Sequence, residues 1–369
     1  MQQAYCRLLD QPHFPNMPTT RFFVGAIAVL LCLPSACHTS TDAPDAQAAV
    51  VTLPGHVHGA SYAEGTVAAL PAARPYLPDV LVRDGAWTLT PSVSIDGQLL
   101  AFVRWDHPVL SGPDSNIQQL YLARRAADGS WGKPSVVPAF ADARVDYPHF
   151  SPDGRHLYLS STRPHPGQYR YPDVPYEDFD LWRIPFQADT LAWQRAGLAP
   201  CADCVKPKTP SNWNVRYVNN ETSPRLDLAG NLYYWTEREG TGGLRDVFVA
   251  PTQLDVFGFA PERRLPFNST ARESGVAVTR DGRTVVFASE RAGGGGGSDL
   301  YRVELTASGA WSTPRAIAGA DTRYDEGAPE LVGDSLLLFT SNAPIEGHAG
   351  ANAGEGAYRI NVFALPFEQ

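Results

Sequence analysis

Pro148-His149-Phe150-Ser151-Pro152-Asp153-Gly154-Arg155, followed by the apolar run Leu157 to Ser161, is the stretch that decides the fold. An Asp-Gly step between two strand-forming runs is a strong hairpin signal, because both turn positions favour positive φ. The unit recurs. Pro91-Ser92-Val93-Ser94-Ile95-Asp96-Gly97 precedes Leu99 to Val103, and Pro224-Arg225-Leu226-Asp227-Leu228-Ala229-Gly230 precedes Leu232 to Thr236. Val276-Ala277-Val278-Thr279-Arg280-Asp281-Gly282 precedes Thr284 to Ser289; Pro329-Glu330-Leu331-Val332-Gly333-Asp334, which lacks the final glycine, precedes Leu336 to Ser341.

Two further landmarks recur in the same order. A polar-aliphatic-aromatic strand reads Gln119-Leu120-Tyr121, Asp180-Leu181-Trp182, Asp246-Val247-Phe248, Asp299-Leu300-Tyr301 and Asn361-Val362-Phe363. An aromatic lead-in to another strand follows at Trp131, Trp193, Phe259 and Trp311. Each unit therefore holds four antiparallel strands, and the anchors at 96, 153, 229, 281 and 334 lie 57, 76, 52 and 53 residues apart. One four-stranded sheet cannot bury both faces alone; radial stacking solves this as an all-β propeller. Five blades are expected, or six if residues 48–70 hold a degenerate unit. The fifth unit ends before its fourth strand, and the segment Pro75 to Val82 is expected to supply it, closing the ring without an open edge.

Composition agrees. Of 369 residues, 19 % are charged and 43 % hydrophobic, which suits a globular chain and excludes a disordered one. Gly and Pro, 32 each, are too many for long helices, while Tyr 15, Phe 16 and Trp 8 suit strands. Lys+Arg 30 against Asp+Glu 39 gives a net charge of −9, which offers phosphates no basic stripe and argues against nucleic acid as a partner.

The Ser-Pro-Asp-Gly-Arg turn at 151–155, its apolar strand and the later Asp-Leu-aromatic strand resemble the TolB-type (WD-like) propeller repeat of exported bacterial proteins. The resemblance spans about residues 75–369. It implies a binding platform, an accessory domain of a serine peptidase or, occasionally, a lyase; a lyase of this kind would need a metal-holding histidine cluster, for which only His149 is well placed.

The N-terminus reads as an export signal. Arg21 precedes the apolar run Phe22 to Leu33, too short to span a bilayer, and Pro34-Ser35-Ala36-Cys37 is a small-residue exit. Ser-Ala-Cys resembles a bacterial lipoprotein signal with lipidation at Cys37; plain secretion and an uncleaved anchor are the alternatives. Met17 makes a tidier start than Met1. The expected organisation is thus a signal at 1–37, a tether and lead-in at 38–74 and a propeller at 75–369, in a periplasmic or outer-membrane-tethered monomer touching membrane only through its N-terminal lipid. Cys201 and Cys204, a Cys-x-x-Cys in an oxidising compartment, suit a disulfide staple; a redox pair or half a zinc site are the other readings.

Functional candidates gather where the chain enters each innermost strand, at the mouth of the central channel. Asp146, Glu221, Glu273 and Glu326 stand there in four of five units, as an acidic cluster suited to a divalent cation or a basic ligand, or as backbone acceptors tying the ring together. Arg144, Arg272 and Arg323 precede them, and Arg163, Arg238 and Arg291 follow the second strand, as a solvated rim or an anion collar. Long insertions at 164–178 and 201–220 carry Tyr169, Tyr171, Tyr176, Trp213 and Tyr217. The run Gly293 to Gly297 lacks the Lys-Ser/Thr of a phosphate loop and reads as a loose hairpin. No Gly-x-Ser-x-Gly or His-Glu-x-x-His occurs. The leading expectation is therefore a non-catalytic envelope propeller binding a protein, peptide or glycan at its channel mouth and insertion loops. It needs no cofactor, apart from a divalent cation if the acidic cluster holds one, and no metal ligand set is identified. The alternative is a polysaccharide lyase or hydrolase acting at that mouth.

Overall fold

The computed structural model describes residues 72–83, 86–106, 117–140, 143–163, 179–185, 220–237, 245–251, 262–346 and 360–368. The expected signal, Cys37, the tether, the Cys201/Cys204 pair, Arg238, the insertion aromatics and Trp193 lie outside them.

Five antiparallel sheets form a five-bladed all-β propeller. Blade one runs from inside outward as β2 (Ala86–Val93), β3 (Leu99–Asp106), β4 (Ile117–Arg124) and β5 (Ser135–Val136). Blade two shows β6 (Val145–Phe150), β7 (His156–Ser161) and β8 (Asp180–Pro185) among the described residues. Blade three is β9 (Glu221–Leu226), β10 (Asn231–Thr236), β11 (Asp246–Pro251) and β12 (Arg263–Arg264). Blade four is β13 (Glu273–Val278), β14 (Thr284–Ser289), β15 (Asp299–Glu304) and β16 (Arg315–Ala316). Blade five is β17 (Glu326–Val332), β18 (Leu336–Ser341) and β19 (Asn361–Pro366), completed by β1 (Arg74–Pro75). The inner strands contact one another in a closed circuit: β2 on β6, β6 on β9, β9 on β13, β13 on β17, and β17 back on β2.

Closure follows the expected route with a shorter strand. Arg74 and Pro75 pair with Ala364 and Phe363, and Tyr76 N donates to Val362 O at 2.9 Å. Prolines at 75 and 78 lack the N–H that a longer ladder needs, and Pro78 starts one helical turn, α1 (Pro78–Leu81). That turn buries Leu81, whose carbonyl accepts from Thr88 Oγ1 at 2.6 Å and ties the closing segment to blade one.

The Asp-Gly turns are built alike. Ser94, Ser151 and Thr279 donate to Asp96, Asp153 and Asp281 at 2.6, 2.5 and 2.7 Å, and each carboxylate accepts the amide two residues on. Gly97, Gly154 and Gly282 take the positive φ that ends the turn. Apolar faces of successive blades then interlock. Leu89, Val103 and Leu120 of blade one share a buried cluster with Val145, Leu157, Leu159 and Trp182 of blade two.

The glycine run is packed, which corrects the loose-hairpin reading. A Cβ on Gly296 would meet Tyr324 O at 1.9 Å, and one on Gly295 would meet Thr322 O at 2.5 Å. These glycines let two backbones approach where no larger residue fits.

Candidate functional site: the bulged inner strands

Every inner strand carries one β-bulge, placed identically. Its central residue has positive φ: Thr90 at 45°, Tyr147 at 50°, Ser223 at 61°, Gly275 at 52° and Ala328 at 46°. The inner-to-second-strand register slips at that point in all five blades. Four of the five are non-glycine residues before proline, a conformation that costs on the order of 1–3 kcal/mol each and is held by the packed ring around it. A bulge re-aims the side chains on either side of it.

Two residues past the bulge centre stand Ser92, His149, Arg225, Ala277 and Glu330, one per blade, and four of them meet at the channel. Arg225 Nε lies 2.6 Å from Glu330 Oε2, a charge contact outside hydrogen-bond alignment. Ser92 Oγ donates to Glu330 Oε1 at 2.8 Å, and His149 Nδ1 lies 3.3 Å from the same oxygen. His149 Nε2 accepts from Leu226 N at 3.2 Å, so the neutral ring carries its proton on Nδ1 and donates it to Glu330. Blade four contributes only Ala277, and the guanidinium of Arg225 spans that gap to Pro329 O of blade five at 3.3 Å. Arg225 is 1 % exposed, Glu330 3 % and His149 12 %.

A serine, a histidine and a carboxylate in contact suggest a hydrolytic triad, but the geometry is wrong for one. The nitrogen that would take a serine proton is occupied by the Leu226 amide, and Ser92 donates to the acid instead of the histidine. Burial raises the Glu330 carboxyl, yet Arg225, His149 and Ser92 outweigh it and hold the group below its usual range. Burial likewise depresses His149, against the pull of Glu330. The cluster is a strut between blades one, two, three and five across the middle of the channel.

The four carboxylates expected at the mouth occupy two different positions. Glu221, Glu273 and Glu326 lie two residues before the bulge centre and are fully buried. Each accepts from the hydroxyl directly opposite on the second strand: Thr236 at 3.3 Å, Ser289 at 3.1 Å and Ser341 at 3.3 Å. Glu273 also holds Ser269 and Arg291, and Glu326 holds Thr322. Burial, helped by Asp299, lifts Glu326 to about 7 against its hydrogen bonds.

Asp146 stands one residue nearer the bulge, and strand alternation turns it to the other face. It keeps partial exposure, as do Tyr147 and His149 on the same strand. Its carboxylate accepts from Thr90 Oγ1 at 3.0 Å and Gln118 Nε2 at 3.3 Å, both from blade one, and from Tyr147 N at 2.9 Å. Burial raises it to about 6 in spite of those bonds. Among the described residues, no hydrogen bond joins these four carboxylates to one another, and no three His, Cys, Asp or Glu side chains converge as metal ligands.

The arginines divide as well. Arg144 Nε donates to Gln118 Oε1 at 2.8 Å, and its guanidinium lies over Trp105 and Phe179. Arg163 and Arg291 lie over Phe140 and Phe287, so these two pack within the ring. Arg272 is exposed, and Arg323 is exposed and bonds Tyr324 Oη at 2.9 Å. The central strut was not anticipated. Its signal was the residue after the inner-strand proline, which changes from Ser to His to Arg to Glu at the spacing of the repeat.

No family model matches the chain, and no curated protein does. Among solved structures, it is similar to a glycoside hydrolase at 10 % identity and a TM-score of 0.49, over 82 % of this chain and 92 % of that one. An α-L-arabinofuranosidase from Lactobacillus brevis is similar at 10 % identity and a TM-score of 0.45, over 79 % and 93 %. A prolyl endopeptidase is similar at 18 % identity and a TM-score of 0.36, over 71 % of this chain and 32 % of that one, so this chain spans about a third of its length. These neighbours correct the leading expectation: all three carry the names of hydrolases, and the non-catalytic platform reading is dropped. Likenesses this distant describe the fold and transfer no substrate.

Proposed function

We propose that the chain is a hydrolase of the cell envelope, with a glycan or peptide substrate bound at the channel mouth and Asp146 as its proton-exchanging group. The observation that carries this reading is the environment of Asp146. It is a partly accessible carboxyl raised to about 6, fixed by donors from the neighbouring blade. A carboxyl that titrates near the working pH can give a proton to a leaving group and recover one from water. Thr90 and Gln118 orient it, and Arg144 orients Gln118. Glu221, Glu273, Glu326 and Glu330 have structural partners and are assigned no chemistry.

The test is a panel of chromogenic glycosides and peptide anilides offered to the purified protein. Wild type should turn over at least one class, and Asp146→Asn should lose about 10²–10⁴-fold in rate with the fold intact by circular dichroism. Gln118→Ala should shift the pH profile while leaving a measurable rate. A wild-type protein inert across the panel, or an Asp146→Asn variant at full rate, overturns the reading.

Within the same proposal the repeat is of the TolB type, and the chain is exported as a monomer and lipidated at Cys37. The support is the Ser-Pro-Asp-Gly-Arg turn and the Ser35-Ala36-Cys37 exit. Radiolabelled palmitate should enter the wild type but not Cys37→Ser. Label in both proteins or in neither rejects the anchor.

A further inference from the structure

The five bulge centres occupy one position of the repeat, and four of them, Thr90, Ser223, Gly275 and Ala328, carry a short side chain or none. Positive φ is rare for a bulky residue, and a following proline restricts the backbone further. Where a short hydroxyl is present it ties the ring together. Thr90 Oγ1 accepts from Tyr147 N at 3.3 Å, and Ser223 Oγ accepts from Val276 N at 2.9 Å, each on the next blade. Tyr147 departs from this pattern. It takes φ 50° with a large aromatic side chain, directly after Asp146 and directly before Pro148. The ring lies near blade three, its centroid 6.0 Å from the guanidinium carbon of Arg225, and the residue is half-buried. The other four blades make the same bulge with a smaller residue, so the bulge itself does not call for tyrosine. A costly conformation kept where the fold has a less costly residue points to function.

We propose that Tyr147 is a substrate-binding residue, its ring the platform for one sugar unit of a neutral glycan cleaved beside Asp146. This rests on the assignment of Asp146 as the proton-exchanging group and narrows the substrate to one class.

Three features select a neutral sugar. The tyrosine ring is an apolar face with a polar tip, which matches the C–H face and the hydroxyls of a sugar ring. Its hydroxyl stays protonated, pushed up to about 12 by burial and then by Asp146, so it offers a hydrogen bond and no charge. Arg225, buried beside the ring, repels a cationic ligand from the same aromatic. Trp105, Phe179 and Trp235 serve differently: they carry the guanidiniums of Arg144 and Arg245, at 5.6 and 5.2 Å for Arg144 and 4.6 Å for Arg245. The chemistry points the same way. Protonating the leaving oxygen is central to cleaving a glycosidic bond, and a raised carboxyl can do it. Cleaving a peptide bond calls for an activated nucleophile, and the Ser92–His149–Glu330 contact is not arranged as one.

The test is calorimetric binding to the full chain carrying Asp146→Asn, so that affinity is read apart from turnover. The titrants are cellohexaose, xylohexaose and mannohexaose, with a hexapeptide of glycine and proline as the control. At least one of the three sugars should bind and the peptide should not. Adding Tyr147→Gly should weaken that binding by about tenfold, and Tyr147→Phe, which keeps the ring, should stay within about threefold. The urea midpoint of Tyr147→Gly should lie within about 0.3 M of the parent, because relief of the positive φ offsets the packing lost beside Arg225. Tyr147→Asn, which also tolerates positive φ, serves if the glycine variant does not fold. Loss of affinity on changing Tyr147 supports the platform whatever rate Asp146→Asn shows on the chromogenic panel. Unchanged affinity in a folded Tyr147→Gly or Tyr147→Asn protein overturns it, and so does a chain that binds the peptide or none of the three sugars.

Discussion

Glu330→Gln is the sharpest probe of the central strut. The change keeps the shape and an acceptor for Ser92 and His149 but removes the negative charge beside Arg225, which is 1 % exposed. Breaking a buried ion pair by deleting one partner costs about 3–5 kcal/mol, because the surviving charge stays desolvated. Weakening the bonds from Ser92 and His149 adds about 1 kcal/mol, and relaxation around the amide returns some of that. The net expectation is a loss of about 3 kcal/mol, read as a drop of about 1 M in the urea midpoint if the protein unfolds with a slope near 3 kcal/mol per M. The second half of the experiment is Glu330→Gln with Arg225→Met. Removing both charges from the channel should recover most of the loss, since replacing an entire buried pair is near neutral. A single variant within about 0.2 M of wild type, or a double variant no better than the single, would falsify the strut as the element joining the blades.

Gly275→Ala should destabilise by about 2–4 kcal/mol, from the positive φ and a Cβ 2.9 Å from Ala328 N of the next blade, whereas Ala328→Gly should lie within about 1 kcal/mol of wild type. Glu273→Gln should cost about 2 kcal/mol in a denaturation series, because Arg291, Ser269 and Ser289 all bond that carboxylate. His149 is depressed from 6.5, so its contribution is complete above that value and is lost as pH falls below it, when a protonated ring can no longer accept from Leu226. Asp146 titrates with the opposite sign: raised to about 6, it stabilises at low pH and the contribution is lost as pH climbs through 6. Melting temperature against pH for His149→Gln and Asp146→Asn separates the two. A His149→Gln profile parallel to wild type through that range rejects the assigned tautomer.

The blade count and the hairpin turns were legible because each turn is a local event. Ser94, Ser151 and Thr279 cap carboxylates two residues away, so the information lies within one short segment. The bulges were hidden for the opposite reason. Thr90, Tyr147, Ser223 and Ala328 have no local preference for positive φ, and the ring imposes it; only Gly275 shows the demand in its residue type. Reading Asp146 together with Glu221, Glu273 and Glu326 failed by one residue, which in a strand is a change of face. The glycine run looked slack because glycine signals freedom. Its other use, close approach, depends on Tyr324 and Thr322 from the next blade.

Ring closure has a consequence for how the chain is made. β1 pairs with Ala364 and Phe363, so a strand near the start of the described residues waits for one near their end. At ribosomal speeds of about 5–20 residues per second, that wait is on the order of tens of seconds. Blades one to four can assemble from neighbouring segments as they emerge, while blade five depends on a contact of very long sequence separation and should form last and slowly. Until then β19 presents an unpaired edge to other chains. Deletion of β1 or of β19 therefore strikes the same blade.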